Sequence, residues 1–170
     1  MPILKALVVF SLLTLPSPPP KQEAPQKVTV PANTEVTVAP RRDIYSNTVV
    51  FDERVGLEVV DEVKINQHVI IARGSIVVAR ITVAKPPASY GRRGELGLEF
   101  IEVTASDGSK IALRGEYRVK GEGRGGTAAL ISILGGPLAG RLSEGTPARL
   151  KTGTKLKALT EKETTIEVKP

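Results

Sequence analysis

The chain has no cysteine, no tryptophan and one histidine, and its aromatic residues are only three Tyr and three Phe among 170. Each shortage removes a class of function. Without cysteine there are no disulfides, no thiolate metal site, no cysteine nucleophile and no lipid attached at an N-terminal cysteine. A serine triad would have to use His68, and no Gly-x-Ser-x-Gly elbow exists to serve it. His68 sits between Gln67 and Val69 at the entrance to a strand-like run, with no partner at ligand spacing nearby, and reads as a turn residue. Nothing in the sequence asks for a metal or a cofactor. Scarce aromatics also speak against nucleic acid, whose binders combine clustered Lys and Arg with stacking rings. The net charge of +6 is spread along the chain rather than gathered. It suits a solvated surface, or contact with an anionic envelope polymer or lipid head groups.

No apolar run reaches the roughly 20 residues that a membrane-spanning helix needs. A shorter one opens the chain. Lys5 precedes the apolar stretch Ala6 to Leu15, and Pro16, Ser17, Pro18, Pro19 and Pro20 follow it. One positive charge, about ten apolar residues and a helix-stopping segment form the layout of a secretory signal. No small-x-small cleavage site stands out, so residues 1–20 read as a signal peptide or a retained N-terminal anchor. Residues 21–26 read as a linker. Either way the expected location is exported, in a bacterial periplasm or cell envelope. Membrane proximity follows from the anchor reading.

From Lys27 onward the hydrophobic period is two. Val28 and Val30 alternate with Lys27 and Thr29, and Val36 and Val38 with Glu35 and Thr37. Val55, Leu57, Val59, Val63 and Ile65 share one parity against Glu58, Glu62 and Lys64, which predicts a single strand over Val55 to Ile65. Val77, Ala79, Ile81 and Val83 share another. Leu96, Leu98 and Phe100 share a face, and the phase flips at Ile101 and Val103; such a flip asks for a bulge. Asp107-Gly108 is a hairpin turn signal. Beyond it Ile111, Leu113, Tyr117 and Val119 alternate with Lys110, Arg114, Glu116, Arg118 and Lys120. The expected fold is therefore all-β, one domain over residues 27–170, a small antiparallel barrel or sandwich.

A short word recurs three times, at Asn33-Thr34, Gly74-Ser75 and Gly153-Thr154. Each copy has Asn or Gly, then a hydroxyl residue, then alternation, and each follows a short strand-like run. Asn and Gly tolerate positive φ at the end of a tight turn, so the unit reads as strand, turn, strand.

One stretch breaks the pattern. Within the insertion 121–141, Gly125 to Gly140 is apolar, glycine-rich and uncharged between Arg124 and Arg141. Leu130, Ile131, Ile133, Leu134 and Leu138 form its apolar contact segment. A short helix over a barrel end, a contact loop and a disordered loop all remain open. The loop Lys85 to Gly94, with Tyr90, Arg92 and Arg93, is the other candidate contact, since Tyr and Arg are common binding anchors.

The remaining chemistry is carboxylate. Asp52-Glu53 and Asp61-Glu62 are adjacent pairs, and Asp61 falls on the apolar parity, where a carboxylate is costly unless a cation such as Arg54 or Arg80 pairs it. Gly121, Gly123 and Gly126 match Gly-x-Gly-x-x-Gly, but β-rich surroundings supply no βαβ unit for a dinucleotide.

Three runs carry a resemblance: Val60-Asp61-Glu62-Val63, Val69 through Ser75, and Thr104 through Leu113. They resemble a group of uncharacterised bacterial exported β-rich envelope proteins. Arg42-Asp43-Ile44-Tyr45-Ser46 is more distantly similar to an "RDVYS" run in the β-barrel domain of the periplasmic component of type IV secretion and conjugation core complexes. In that family an apolar insertion forms a membrane-contacting antenna, and Thr127 to Ala139 sits in a comparable place. Three expectations follow. The first is a non-catalytic exported envelope module that binds an envelope protein or anionic polymer. The second is a component of a secretion or conjugation assembly that oligomerises through barrel edges. The third is a carboxylate-dependent hydrolase of cell-wall polymer.

Overall fold

A computed structural model of the chain describes residues 26–122 and 145–168. Among them no residue is helical, and thirteen strands carry the fold. Six form a closed antiparallel barrel in the order β8 (Glu95–Thr104), β7 (Ile76–Lys85), β4 (Arg54–Val59), β2 (Glu35–Pro40), β12 (Leu156–Thr160) and β9 (Lys110–Arg114), and β9 returns to β8. The seventh strand of that sheet, β10 (Glu116–Lys120), continues β9 and pairs with the first half of β8. Alternation explains the closure. Val36, Val38, Leu57, Val77, Ala79, Ile81, Leu98, Ile111 and Ala158 all point inward and are 0–1% exposed. Fully burying a side chain of the Val, Leu or Ile size contributes roughly 1.5–3 kcal/mol, so this interior is the main source of stability.

The phase flip in β8 is a bulge. Val78 pairs with Glu102 and Ala79 with Phe100, which leaves Ile101 as the extra residue. Phe100 and Val103 are thereby both buried although they stand three positions apart, on opposite parities. Asp107-Gly108 forms the β8–β9 hairpin, with Gly108 at φ +85° and the Asp107 carboxylate accepting from the Ser109 amide at 2.8 Å.

Three two-stranded ribbons flank the barrel. They are β1 (Gln26–Val30) with β13 (Thr164–Val168), β3 (Ile44–Tyr45) with β11 (Arg149–Leu150), and β5 (Val63–Ile65) with β6 (His68–Ile71). The recurring turn word explains them. Asn33, Gly74 and Gly153 have φ of 67°, 81° and 74°. Each stands third in a four-residue turn that takes the chain from a ribbon strand into a barrel strand. Each also donates its amide to the end of the neighbouring barrel strand: Asn33 to Thr160 at 2.9 Å, Gly74 to Val59 at 2.8 Å, Gly153 to Pro40 at 3.1 Å. The strands on either side of each turn do not pair with one another, so the unit is a ribbon-to-barrel junction rather than a hairpin. Two copies exchange partners. In β1–β2–β3 and β11–β12–β13 the middle strands pair, while β1 pairs with β13 and β3 with β11, a pseudo-twofold arrangement.

One expected strand is divided. β4 ends at Val59, the chain bends at Val60 and Asp61, and β5 starts at Val63. The bend occupies three residues and preserves the odd parity beyond it, so alternation alone could not reveal it. Asp61 therefore lies on an exposed bend and meets Lys155 at 3.4 Å, not Arg54 or Arg80.

Candidate contact surface at the insertion pole

The barrel has two poles. One gathers the Asp107-Gly108 hairpin, β1–β13 and β5–β6. The other gathers β3–β11, the loop from Lys85 to Gly94, and both legs of the insertion. At this second pole the loop from Lys85 to Gly94 meets the two described legs of the insertion. The Gly121 amide donates to the Gly94 carbonyl at 2.9 Å, and the Gly94 amide to Thr146 at 3.0 Å. The Thr146 amide in turn reaches Glu122 at 3.0 Å, and the Glu122 amide reaches the Thr146 hydroxyl at 2.6 Å. The insertion thus leaves and re-enters through a backbone clamp shared with the loop.

Three glycines make that clamp possible. A Cβ on Gly94 would stand 2.5 Å from Ser46 Oγ and 2.9 Å from the Lys85 carbonyl. One on Gly121 would meet the Thr146 carbonyl oxygen, and one on Gly145 would meet that of Arg92. Ordinary side-chain carbons do not come so close to backbone oxygen. Gly121, which the sequence shows only as the first glycine of a Gly-x-Gly-x-x-Gly match, is here a close-approach residue.

The loop itself is turned tightly. Ala88 and Arg92 form a β-bridge, closed by the Ala88 amide on the Arg92 carbonyl at 3.0 Å, with Tyr90 and Gly91 at φ of 61° and 67°. Tyr90, Arg92 and Arg93 are all exposed at its tip. Neither arginine is in an ion pair among the described residues. Beside them Glu95 bridges Lys85 at 3.2 Å and Lys120 at 3.3 Å, and these two ammonium groups hold its carboxyl below the usual range.

The returning leg is stapled by the Arg42-to-Ser46 run. Asp43 accepts from the Thr152 amide at 2.8 Å and the Thr152 hydroxyl at 3.0 Å, and it pairs with the Arg149 guanidinium through Nε at 2.9 Å. The Thr152 amide first, and Arg149 next, lower its pKa to about 2. Ile44 is buried core, and the Arg149 guanidinium lies 5.5 Å from the centre of the Tyr45 ring. Ser46, 1% exposed, donates its amide to Ala148 at 3.0 Å and accepts the Ala148 amide on Oγ at 3.1 Å. The sequence showed this run only as a likeness. Its partners lie about a hundred residues away, and no local signal could have named them.

The other candidates stand elsewhere. His68 opens β6, half-buried, after a turn with Asn66 and Gln67 at positive φ. Among the described residues no three His, Asp or Glu cluster closely enough to hold a metal. Asp52 faces Arg80 at 3.6 Å, Glu53 accepts the Val50 amide, and Glu62 pairs with Lys64 at 2.5 Å. Residues 1–20, the insertion's Leu130, Ile131, Ile133, Leu134 and Leu138, and Gly123 and Gly126 lie outside the described residues. No described helix is long and apolar enough to cross a membrane. No family profile matches the chain. No curated protein matches it either.

Proposed function

We propose that this protein is a non-catalytic module of the bacterial cell envelope, an exported barrel that presents an apolar insertion and a basic loop to an envelope protein or anionic polymer. The observation that carries this reading is the meeting of the insertion's two described legs with the basic loop on one pole, locked by Gly94, Gly121, Gly145 and Ser46. A barrel that spends three close-packed glycines and a buried hydroxyl on holding two chain legs treats the segment between them as an appendage to be positioned. The charge fits the same role. Arg92 and Arg93 face solvent at the clamp, and Arg124 and Arg141 bracket the apolar segment in sequence.

A photo-crosslinker placed in the full chain in cells tests this. Crosslinks to an envelope component are expected from position 92 and not from position 73 at the opposite pole. Equal crosslinking from both poles, or none from 92, removes the reading. A second reading, a component of a secretion or conjugation assembly, draws support from the Arg42-to-Ser46 run, whose residues hold the leg of the insertion. Light scattering separates it: a discrete large ring favours the assembly, and a monomer counts against it.

A further inference from the structure

On the barrel wall beside that pole, β3 and the loop after it stand away from β4 and leave a cleft with a cavity volume of about 330 Å³, lined by Arg42, Tyr45, Val49, Glu53 and Gly56 among others. Its cause is visible in the backbone. β2 pairs with β4 only at Leu57, Glu58 and Val59, because the chain leaves β2 at Pro40, which has no N–H to continue the ladder. β3 cannot fall back onto β4, since Asp43 is tied to Thr152 and Arg149 on the far side. Residues Arg54 to Gly56 therefore have β7 on one side and no strand on the other.

Three features say what this edge accepts. Gly56 stands in the middle of a barrel strand, where glycine weakens the strand, yet a Cβ there would meet nothing within 4 Å. Interior packing does not require it, so its bareness leaves room for another backbone to come close. Arg54 sits directly opposite Arg80 in the ladder, a like-charge pair that disfavours the sheet. Arg80 is neutralised by Glu99 at 2.7 Å and by Asp52, whereas Arg54 and the cleft residue Arg42 have no ion pair among the described residues. The cleft's acids are already engaged, Asp43 with Arg149 and Glu53 with the Val50 amide. Arg42 lines the cleft together with apolar Val49 and Tyr45, and Arg54 stands on the open edge next to the lining residues Glu53 and Val55.

We propose that the cleft between β3 and β4 binds an acidic, extended peptide segment by strand addition to Arg54–Gly56. Main-chain hydrogen bonds to the open edge supply affinity. Alternate side chains supply specificity, carboxylates toward Arg42 and Arg54 and an apolar residue toward Val49 and Tyr45. This goes beyond the envelope reading and does not depend on it, because the cleft lies on the wall and not on the insertion.

The test uses the ¹⁵N-labelled full chain and three short blocked peptides. One alternates glutamate and valine, one alternates lysine and valine, and one is the acidic peptide N-methylated at alternate residues so that it cannot complete a ladder. The acidic peptide is expected to bind saturably and to move the amide resonances of Tyr45, Val55 and Gly56. Gly56→Val, whose side chain enters open space, and the pair Arg42→Glu with Arg54→Glu should each weaken it about tenfold, or more. The lysine peptide should not bind. Equal binding of the N-methylated peptide would reduce the site to bulk charge and overturn strand addition. Resonance changes confined to Arg92 and Arg93, or no saturation, would overturn the site itself.

Discussion

The two poles of this barrel are held by different physics. At the hairpin pole the chain is shaped by local conformation: Gly74 and Gly108 adopt positive φ with open space around them. At the insertion pole Gly153 turns the chain in the same way, but the clamp comes from contact between segments far apart in sequence, with Gly94 against Ser46, Gly121 against Thr146 and Gly145 against Arg92. Among the described residues, each pole has one Ser or Thr buried as a whole residue. Thr160, fully buried, accepts the Thr34 amide at 2.9 Å and donates to the Pro31 carbonyl at 2.8 Å, while Ser46 serves Ala148. A glycine chosen for its own φ tolerates change in its surroundings, and a glycine chosen for a neighbour's approach does not.

Substitution should separate them. The largest effect is expected at the insertion pole, where Gly121→Ala or Gly145→Ala drives a methyl into a backbone carbonyl and lowers unfolding free energy by about 3 kcal/mol, or prevents folding. Thr160→Val comes next, at about 2 kcal/mol, because it leaves the half-buried Thr34 amide without a partner and takes one of two hydroxyl donors from the Pro31 carbonyl, which keeps that of Thr34; Ser46→Ala, which frees only the Ala148 amide, should cost about half of that. Gly108→Ala at the hairpin pole should cost about 1 kcal/mol, the conformational term alone. Chemical denaturation of the five variants ranks them, and equal losses for Gly108→Ala and Gly121→Ala would erase the distinction.

Asp43 gives a smaller and more local effect. Its folded pKa of about 2 lies below the ordinary 3.8, so the staple is fully present above the ordinary value and is lost as pH falls toward 2. Amide exchange at Arg149 and Thr152 should accelerate on acidification across that window while barrel strands stay protected. Asp43→Asn should abolish the pH dependence. The smallest change is expected from deleting residues 127–139. Shortening a loop changes closure entropy by under about 1 kcal/mol, and a thermal melt should find the barrel intact; an unfolded product would make the segment part of the core.

The same contrast decides what the sequence could reveal. Parity located most barrel strands, the flip after Phe100 located the bulge, and Asp107-Gly108 located its hairpin, because each is a property of neighbouring residues. The turn word at Asn33, Gly74 and Gly153 announced three junctions for the same reason. The division of β4 from β5 stayed hidden, since a bend of three residues keeps the parity. β3 and β11 were too short to show a period at all. The candidate contact surface was half legible: Tyr90, Arg92 and Arg93 stood out by type, but their meeting with the insertion legs rests on Gly94, Gly121 and Thr146, which composition does not single out. The cleft was invisible, since an unpaired edge is defined by a strand that fails to arrive.

The β1–β13 ribbon sets Gln26 beside Val168, so the chain enters and leaves the domain at one place, remote from the insertion. Tension between those two neighbouring ends would open the ribbon one pair at a time and leave the barrel unstrained. Tension between Gln26 and the insertion would instead load the whole length of the barrel. A tethered protein built this way would give at its attachment and hold firm across its body.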